Sequence, residues 1–322
     1  SAIHRITYDE VQDATQLELL LLFFVIQDPN HFYLTGDTCQ TIERGVGFRF
    51  EDLKTIFHRF RKRRKKLIVP SPQSLTLNYR SFESVIQLSA AVLELLKRYF
   101  PKSFDAIAEE EAFDCGYGPR PLALLSEDPD DLFMLMNGTT CSTQVRFGAD
   151  QIILVRDEEA KKSLPELLKH SQCATIFESK GLEYDDVILY NFFDNDKEWK
   201  TMFKSSQSCA PSLCDELKTL FVAITRAKKN VWFIQTVHGT PPMITFLEQK
   251  KLLDVISEGM VQEFLRDHES SGGLAKASTP DEWKQAGNLL VQKKRWNAAA
   301  TCFKNAEASE EIGYIEAVLL QQ

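Results

Sequence analysis

The chain has 322 residues, 43% apolar and 26% charged, enough for about two domains that each bury a core. Its formal net charge of −8 argues against a uniformly basic nucleic-acid binder, and no apolar run approaches the ~18 residues of a membrane span. The seven cysteines include no Cys-x-x-Cys pair, which argues against a zinc site or a disulfide framework and fits a reducing, intracellular setting, nucleus or cytoplasm.

Residues 3–9 read as a short strand ending in acids, and no secretory leader is expected before them. Leu17 to Ile26 reads as a core helix, since its apolar run is short and interrupted by Glu18. His31 to Thr35 reads as a strand stopped by Gly36-Asp37, and Leu53 to Phe60 as a helix leading into a basic run. Eight Lys/Arg lie between Lys54 and Lys66, whereas Asp105 to Asp131 is mostly acidic, so charge is segregated along the chain. Three readings of Arg59 to Lys66 stay open: a nucleic-acid backbone contact, a nuclear localisation signal, or a solvated helix end.

Pro70 and Pro72 mark a break, placed as a domain boundary. Phe82 to Tyr99 then has helical spacing, and residues 104–148 read as irregular. Strands are expected at Gln151–Val155, Ala174–Phe177, Val187–Tyr190 and Val231–Ile234, with helices at 157–169 and 213–225. Apolar strands alternating with helices predict a parallel sheet covered on both faces. From about 243 only helix is expected, with Ser270-Ser271-Gly272-Gly273 as a flexible joint. Trp283-x2-Ala286-Gly287-x2-Leu290 and Ala299-x3-Phe303 fit tetratricopeptide spacing or an ordinary helical hairpin.

Five blocks carry chemistry. Asp9-Glu10-Val11-Gln12-Asp13 follows a strand, where an Asp beside a Glu holds Mg²⁺ and positions an attacking water. The same acids also suit a helix's first turn. Gly36-Asp37-Thr38-Cys39-Gln40-Thr41-Ile42 offers a Gln amide that can read a γ-phosphate, or is a plain turn. Leu77-Asn78-Tyr79-Arg80-Ser81, Thr175 to Tyr184 and Leu220 to Lys229 each have bland alternatives: a turn, a helix start, a basic helix end. Together the five occur in one order, each where strand meets helix.

In that order the blocks resemble motifs II to VI of superfamily 1 helicases of the UvrD/Rep kind, over roughly residues 5–236. Gly45 to Leu53 and the tetratricopeptide-like tail resemble the large tetratricopeptide and ankyrin repeat-containing helicase-like proteins. The resemblance implies an α/β protein with two RecA-like lobes, the first incomplete, and an all-α tail: 1–70, 71–240 and 241–322. It implies ATP and Mg²⁺ as cofactors, with Asp9 holding the metal and Glu10 acting as general base. Gln40 would sense the γ-phosphate, and Arg80 and Arg226 would be arginine fingers. Gln12, Gly181 and Glu183 would face the nucleotide, Glu183 through its ribose. Thr175, Ser179 and Lys180 would touch a single-stranded nucleic acid, DNA being the expected type, with Phe48 and Phe50 stacking on it or else packing in the core. Protein partners would dock on the tail, and no membrane is implied.

The departures are specific. No Gly-x4-Gly-Lys-Ser/Thr occurs, so the β/γ-phosphates lack their usual cradle. Only 94 residues separate Arg80 from Thr175, too few for the accessory subdomain of the UvrD/Rep motors. Phe177 stands where the family has His. The expectation is a helicase or translocase fragment whose parent hydrolyses ATP; the alternative is an inactive helicase-derived interaction scaffold.

Overall fold

The computed structural model describes residues 3–42, 48–105, 109–113, 115–138, 147–169, 171–194, 196–204, 210–236, 239–267 and 273–320. Gly45, Val46 and Gly47, and Ser270, Ser271 and Gly272 of the expected joint, lie outside them.

The first lobe is small. β1 (Ile6–Tyr8) pairs in parallel with β2 (Phe32–Leu34), and α1 (Gln16–Val25) connects them. α1 begins at a capping box, Thr15 with Glu18, which satisfies two helix-end N–H groups at once. It buries Leu19 and Phe23 and leaves Leu17, Leu21, Phe24 and Val25 exposed. The second helix, α2 (Phe50–Arg61), closes the core, where the Phe23 ring lies 4.6–4.9 Å from Phe32, Phe57 and Phe60. The basic run leaves the end of α2 with Arg59 and Arg61 through Lys66 all exposed.

Beyond the break, β3 (Leu77–Asn78) pairs with β4 (Glu111–Ala112), flanking α3 (Glu83–Tyr99). The second lobe is then built from β5 (Leu122–Leu125), α4 (Pro129–Asn137), β6 (Gln151–Val155), α5 (Glu158–Lys162), β7 (Cys173–Thr175), β8 (Tyr184–Tyr190), α6 (Asp196–Lys204), α7 (Pro211–Ile224), β9 (Ala227–Gln235), α8 (Pro242–Gln249), β10 (Asp254–Ser257) and α9 (Val261–Asp267). Six strands form one parallel sheet in the order β10-β5-β9-β8-β6-β7. Strand periodicity feeds two cores. Ile152, Leu154, Val187, Leu189, Val231 and Phe233 face the layer with α3 and α7, whereas Ile153, Val155, Ile188, Tyr190, Trp232 and Ile234 face α4 and α9. Each such side chain contributes about 1.5–3 kcal/mol by leaving water, which is why these strands are apolar on both faces.

Two expectations need correction. Residues 104–148 are not irregular throughout: β5 pairs with β9 and β10 inside the sheet, and α4 starts at Asp128, whose side chain accepts the Asp130 N–H. The helix-only region does not start near 243, because β10 completes the sheet edge beside β5. The helical tail comprises α10 (Pro280–Gln292), α11 (Trp296–Asn305) and α12 (Ser309–Leu319). Trp283, Leu290, Ala299, Cys302, Phe303 and Ile315 bury its core, continuous with the α3/α7 side of the second lobe.

The Gly287 of the repeat-like pattern has a steric cause. A Cβ there would stand 2.7 Å from Cε1 of Phe303, so α10 and α11 approach as closely as only glycine allows. Gly287→Ala is expected to destabilise the tail by about 1–3 kcal/mol through overpacking. Amide hydrogen exchange should speed up across α10–α12 while β6, β8 and β9 keep their protection.

Candidate functional site

Five sequence blocks converge on the seam between the lobes. β1 ends at Tyr8, and the next residue, Asp9, is exposed with Oδ1 accepting the Thr35 hydroxyl and, at 3.0 Å, the Glu10 N–H. Glu10 has a left-handed backbone (φ 54°, ψ 44°), a conformation that costs a non-glycine residue roughly 1–3 kcal/mol and clusters at functional sites. Its carboxylate accepts a hydrogen bond from the Gln12 amide. Gln12 is fully buried, and its Oε1 accepts the Asp37 N–H at 3.0 Å, tying the acidic block to the block after β2.

That second block is a 3-10 turn, Thr38–Gln40, capped by Asp37, whose carboxylate accepts the Cys39 N–H at 2.8 Å and the Gln40 amide at 3.0 Å. Burial raises the Asp37 carboxyl above its ordinary value, and these two hydrogen bonds oppose the shift. Cys39 belongs to the second-lobe core, so the turn is the plug that joins the lobes. Asp105, between the two lobes' helices, adds two ties: its N–H donates to Thr38 Oγ1 at 2.9 Å and its carboxylate accepts the Phe50 N–H at the start of α2, at 2.8 Å.

From the second lobe come Arg80, Lys180, Glu183 and Arg226. Asn78 Oδ1 accepts the N–H groups of Arg80 and Ser81 at 2.9 and 3.0 Å, which holds the turn after β3. Ser81 Oγ donates to Ala227 O at 2.9 Å, fastening that turn to the start of β9. Arg226 lies between α7 and β9 and is 3% exposed. Its guanidinium donates to Val222 O at 3.0 Å, Leu182 O at 3.2 Å and, across the seam, Gln40 Oε1 at 2.8 Å. Burial first, then the nearby Arg80 charge, pull its pKa down to about 10, against the opposing pull of Glu10, Glu183 and Asp37. Arg80 pairs with Glu183 at 3.3 Å. Lys180 forms a second cross-seam link, an ion pair with Asp13 in which the Lys180 side chain is nearly buried.

Of the expected catalytic set, Gln40 and Arg226 meet across the seam and Glu10 and Arg80 lie within electrostatic reach of Arg226, as does Glu183; Asp9 precedes Glu10 at the end of β1, and Gly181 (φ 74°) precedes Leu182, whose carbonyl accepts from Arg226. The expected nucleic-acid set is differently placed. Thr175 and Glu178 form a reciprocal cap, Thr175 N–H to Glu178 Oε2 at 2.8 Å and Glu178 N–H to Thr175 Oγ1 at 3.1 Å. Ser179 is 0% exposed and its hydroxyl donates to Ile176 O at 2.7 Å, and Thr175 is buried as well, so both are turned into the second lobe in this arrangement. Phe48 takes the core-packing alternative, buried with Leu53 and Phe57, because α2 needs an apolar partner beneath it; Phe50 is half-buried with its ring 5.3 Å from Phe48. Phe177 is 51% exposed. Among the described residues, no three His, Cys, Asp or Glu side chains gather as a metal site, and no helix is long and apolar enough to cross a membrane. Asp9, exposed and with both its recorded hydrogen bonds on Oδ1, is the carboxylate that could hold Mg²⁺, an ion bound by one or two carboxylates plus substrate phosphates.

Sequence reasoning missed Asp13, Asp37 and Asp105 as seam residues. Asp13 and Asp37 stand within quoted blocks, whereas nothing local marks Asp105.

Comparison with known proteins finds similarity to helicase-related sequences and folds. Residues 149–238 match the model of the UvrD-like helicase C-terminal domain family. The chain is 35% identical to human TPR and ankyrin repeat-containing protein 1 over 96% of its own length, and it spans only 12% of that relative. Among solved structures it is similar to the C-terminal domain of a possible DNA helicase from Lactobacillus plantarum WCFS1, at 15% identity and TM-score 0.34, covering 55% of this chain and 98% of that one. It is also similar to arterivirus nonstructural protein 10, a helicase, at 14% identity and TM-score 0.32, covering 73% and 39% respectively.

Because the folded state raises the Asp37 carboxyl, it binds that proton more tightly than the unfolded chain does. The group therefore lowers stability as pH rises from the unfolded carboxylate value, about 3.9, through the raised value. Asp37→Asn removes this contribution, so the melting temperature of the variant relative to wild type should climb across that window. A flat difference between pH 4 and 7 would show that Asp37 is not perturbed.

Proposed function

We propose that this chain is the cleft-forming part of an ATP-driven nucleic-acid translocase or helicase of the UvrD/Rep kind. One observation carries the proposal: the buried Arg226 guanidinium of the second lobe donates to Gln40 of the first at 2.8 Å. A γ-phosphate sensor and an arginine finger need this mutual reach, since hydrolysis must alter how the lobes meet.

The residues divide the work. Asp9, oriented by Thr35 and the Glu10 N–H, would hold Mg²⁺. Bound Mg²⁺ and ATP supply the phosphoryl group and neutralise charge during its transfer. Glu10, steered by the buried Gln12 and by its left-handed backbone, would take the proton of the attacking water. Gln40 is kept in one orientation, donating to Asp37 and accepting from Arg226. Arg80 would exchange Glu183 for a phosphate oxygen, freeing Glu183 for the ribose. Lys180 links Asp13 to the loop after β7, so a shift of the first lobe reaches the expected single-strand contacts.

A second reading rests on its own observation. Thr175, Ser179 and Lys180 are all engaged internally, as suits a helicase-derived scaffold whose motor fold serves interaction. The two readings part on hydrolysis. The 322-residue chain lacks a Gly-x4-Gly-Lys-Ser/Thr loop, so it should turn over ATP poorly; robust turnover stimulated by single-stranded DNA would overturn this account of the phosphate site. In a longer chain supplying such a loop, Glu10→Gln should lower hydrolysis by about 10²–10⁴-fold and leave ATP binding intact.

Arg226→Ala in the same longer chain should cost about 10³–10⁵ in turnover. Unchanged turnover in a variant would overturn the role given to that residue, and no turnover in the wild type would favour the scaffold.

A further inference from the structure

A half-open cavity of about 600 Å³ lies between the sheet edge at β7 and the helical tail, within the ~300–1,000 Å³ range of binding clefts. Its lining is cationic in a chain whose net charge is −8. Lys169 stands on the sheet side, and Lys294, Arg295 and Lys304 on the tail side. Lys161 is also there but is held by Glu178 at 3.0 Å. Lys294 and Lys304 have no carboxylate partner among the described residues, and Lys169 has only its neighbour Glu166, at 2.7 Å. Lys294 moreover occupies a left-handed backbone position after α10 (φ 57°), where glycine or asparagine is the less strained choice. Trp296, half-buried, adds an aromatic surface between these cations.

We infer that this cleft binds the backbone of a single-stranded nucleic acid, with Lys169, Lys294 and Lys304 on its phosphates and Trp296 against a base. Cations on two walls with an aromatic between them form the pattern that tracks a single strand without reading its sequence. An acidic peptide added to the sheet edge fits less well. β7 has three residues, its Thr175 N–H is taken by Glu178, and Gln172 O and Ile176 N–H are turned to β6. Too little backbone remains for strand addition. The cleft also adjoins the loop after β7: Arg295 donates to Lys180 O at 3.1 Å and Lys293 to Gly181 O at 2.7 Å. Since Lys180 also pairs with Asp13, a strand held by the tail is mechanically continuous with the lobe seam. This inference rests on the translocase reading for its choice of nucleic acid, but not for the existence of the cleft.

The test uses the 322-residue chain and a labelled oligothymidylate of about 12 nucleotides, inside the ~4–16 typical of such grooves. Trp199, Trp232 and Trp283 are buried, so quenching of tryptophan emission reports on Trp296. Binding should quench that emission, and Trp296→Phe should abolish the quenching while anisotropy still shows binding. A Lys169→Gln/Lys294→Gln/Lys304→Gln variant, with unchanged circular dichroism and melting temperature, should bind at least about tenfold more weakly. Its log affinity against log salt should be shallower by about 2, because each single-strand phosphate that a cation neutralises adds ~0.7 to the slope. Binding that neither quenches Trp296 nor responds to the triple variant places the strand elsewhere, which sinks the cleft and leaves the translocase reading standing. Absence of any binding sinks the cleft and removes the nucleic-acid partner of the translocase reading as well. A polyglutamate peptide that quenches Trp296 where oligothymidylate does not would overturn the inference in favour of an acidic protein segment.

Discussion

The Arg226 guanidinium joins three parts of the molecule by hydrogen bonds. It bonds the end of α7 through Val222 O, the loop before β8 through Leu182 O, and the first lobe through Gln40 Oε1. Val222 O also accepts the Thr225 hydroxyl, so the loss of Arg226 would strand Leu182 O and Gln40 Oε1, and a buried acceptor without its donor costs about 1–3 kcal/mol. The lowered pKa, to about 10, registers the cost of burying it beside Arg80. An arginine held in this way is both a structural pin and a pre-aimed cation. The lobes cannot separate at this seam without exposing it, and cannot exchange its Gln40 partner without shifting the turn that carries Cys39 into the second-lobe core.

Around that pin, the seam combines fixed and movable links. Gln12, Asp37 and the Thr38–Gln40 turn form one buried network that holds Glu10 in its left-handed backbone. Arg80–Glu183 is half-exposed, and an exposed pair contributes little and exchanges readily. Lys180–Asp13 lies between these extremes, its lysine nearly buried. Such a gradient suits a site in which some groups must stay placed while others change partners during a cycle. The tail extends the same chain of contacts, because the backbone carbonyls of Lys180 and Gly181 are acceptors for Arg295 and Lys293. The loop after β7 is therefore gripped from both sides, by the first lobe through its side chain and by the tail through its backbone.

Much of this was legible in the sequence because it is local. β6 falls at Gln151–Val155, as its unbroken apolar run predicts, and α7 within a residue or two of its expected span. The capping boxes at Thr15 and Thr279 rest on an equally local pattern, Thr-x-x-Glu, that the sequence reading passed over. β5 escaped notice because four apolar residues after Gly-Pro-Arg-Pro carry no period that separates strand from loop, and β10 because Asp254 and Ser257 leave only two apolar residues between them. Phe48 takes the core-packing alternative that its sequence left open, and Ser179 is buried with its hydroxyl on Ile176 O, because burial at either position is set by elements that no local window contains.

The sequence by itself determined the order of the chemical blocks, the alternation of strand and helix, and the absence of a phosphate loop pattern from these 322 residues. These are properties of neighbours along the chain, where period, turn chemistry and charge act over a few residues. Only the tertiary structure decided that Gln40 meets Arg226, that Lys180 meets Asp13, and that the tail reaches back to the loop after β7. Those pairs lie 186, 167 and 115 residues apart. Which of many compatible cations and carboxylates come together is set by sheet order and by the plug of Cys39 in the second-lobe core, and neither is written in any local window.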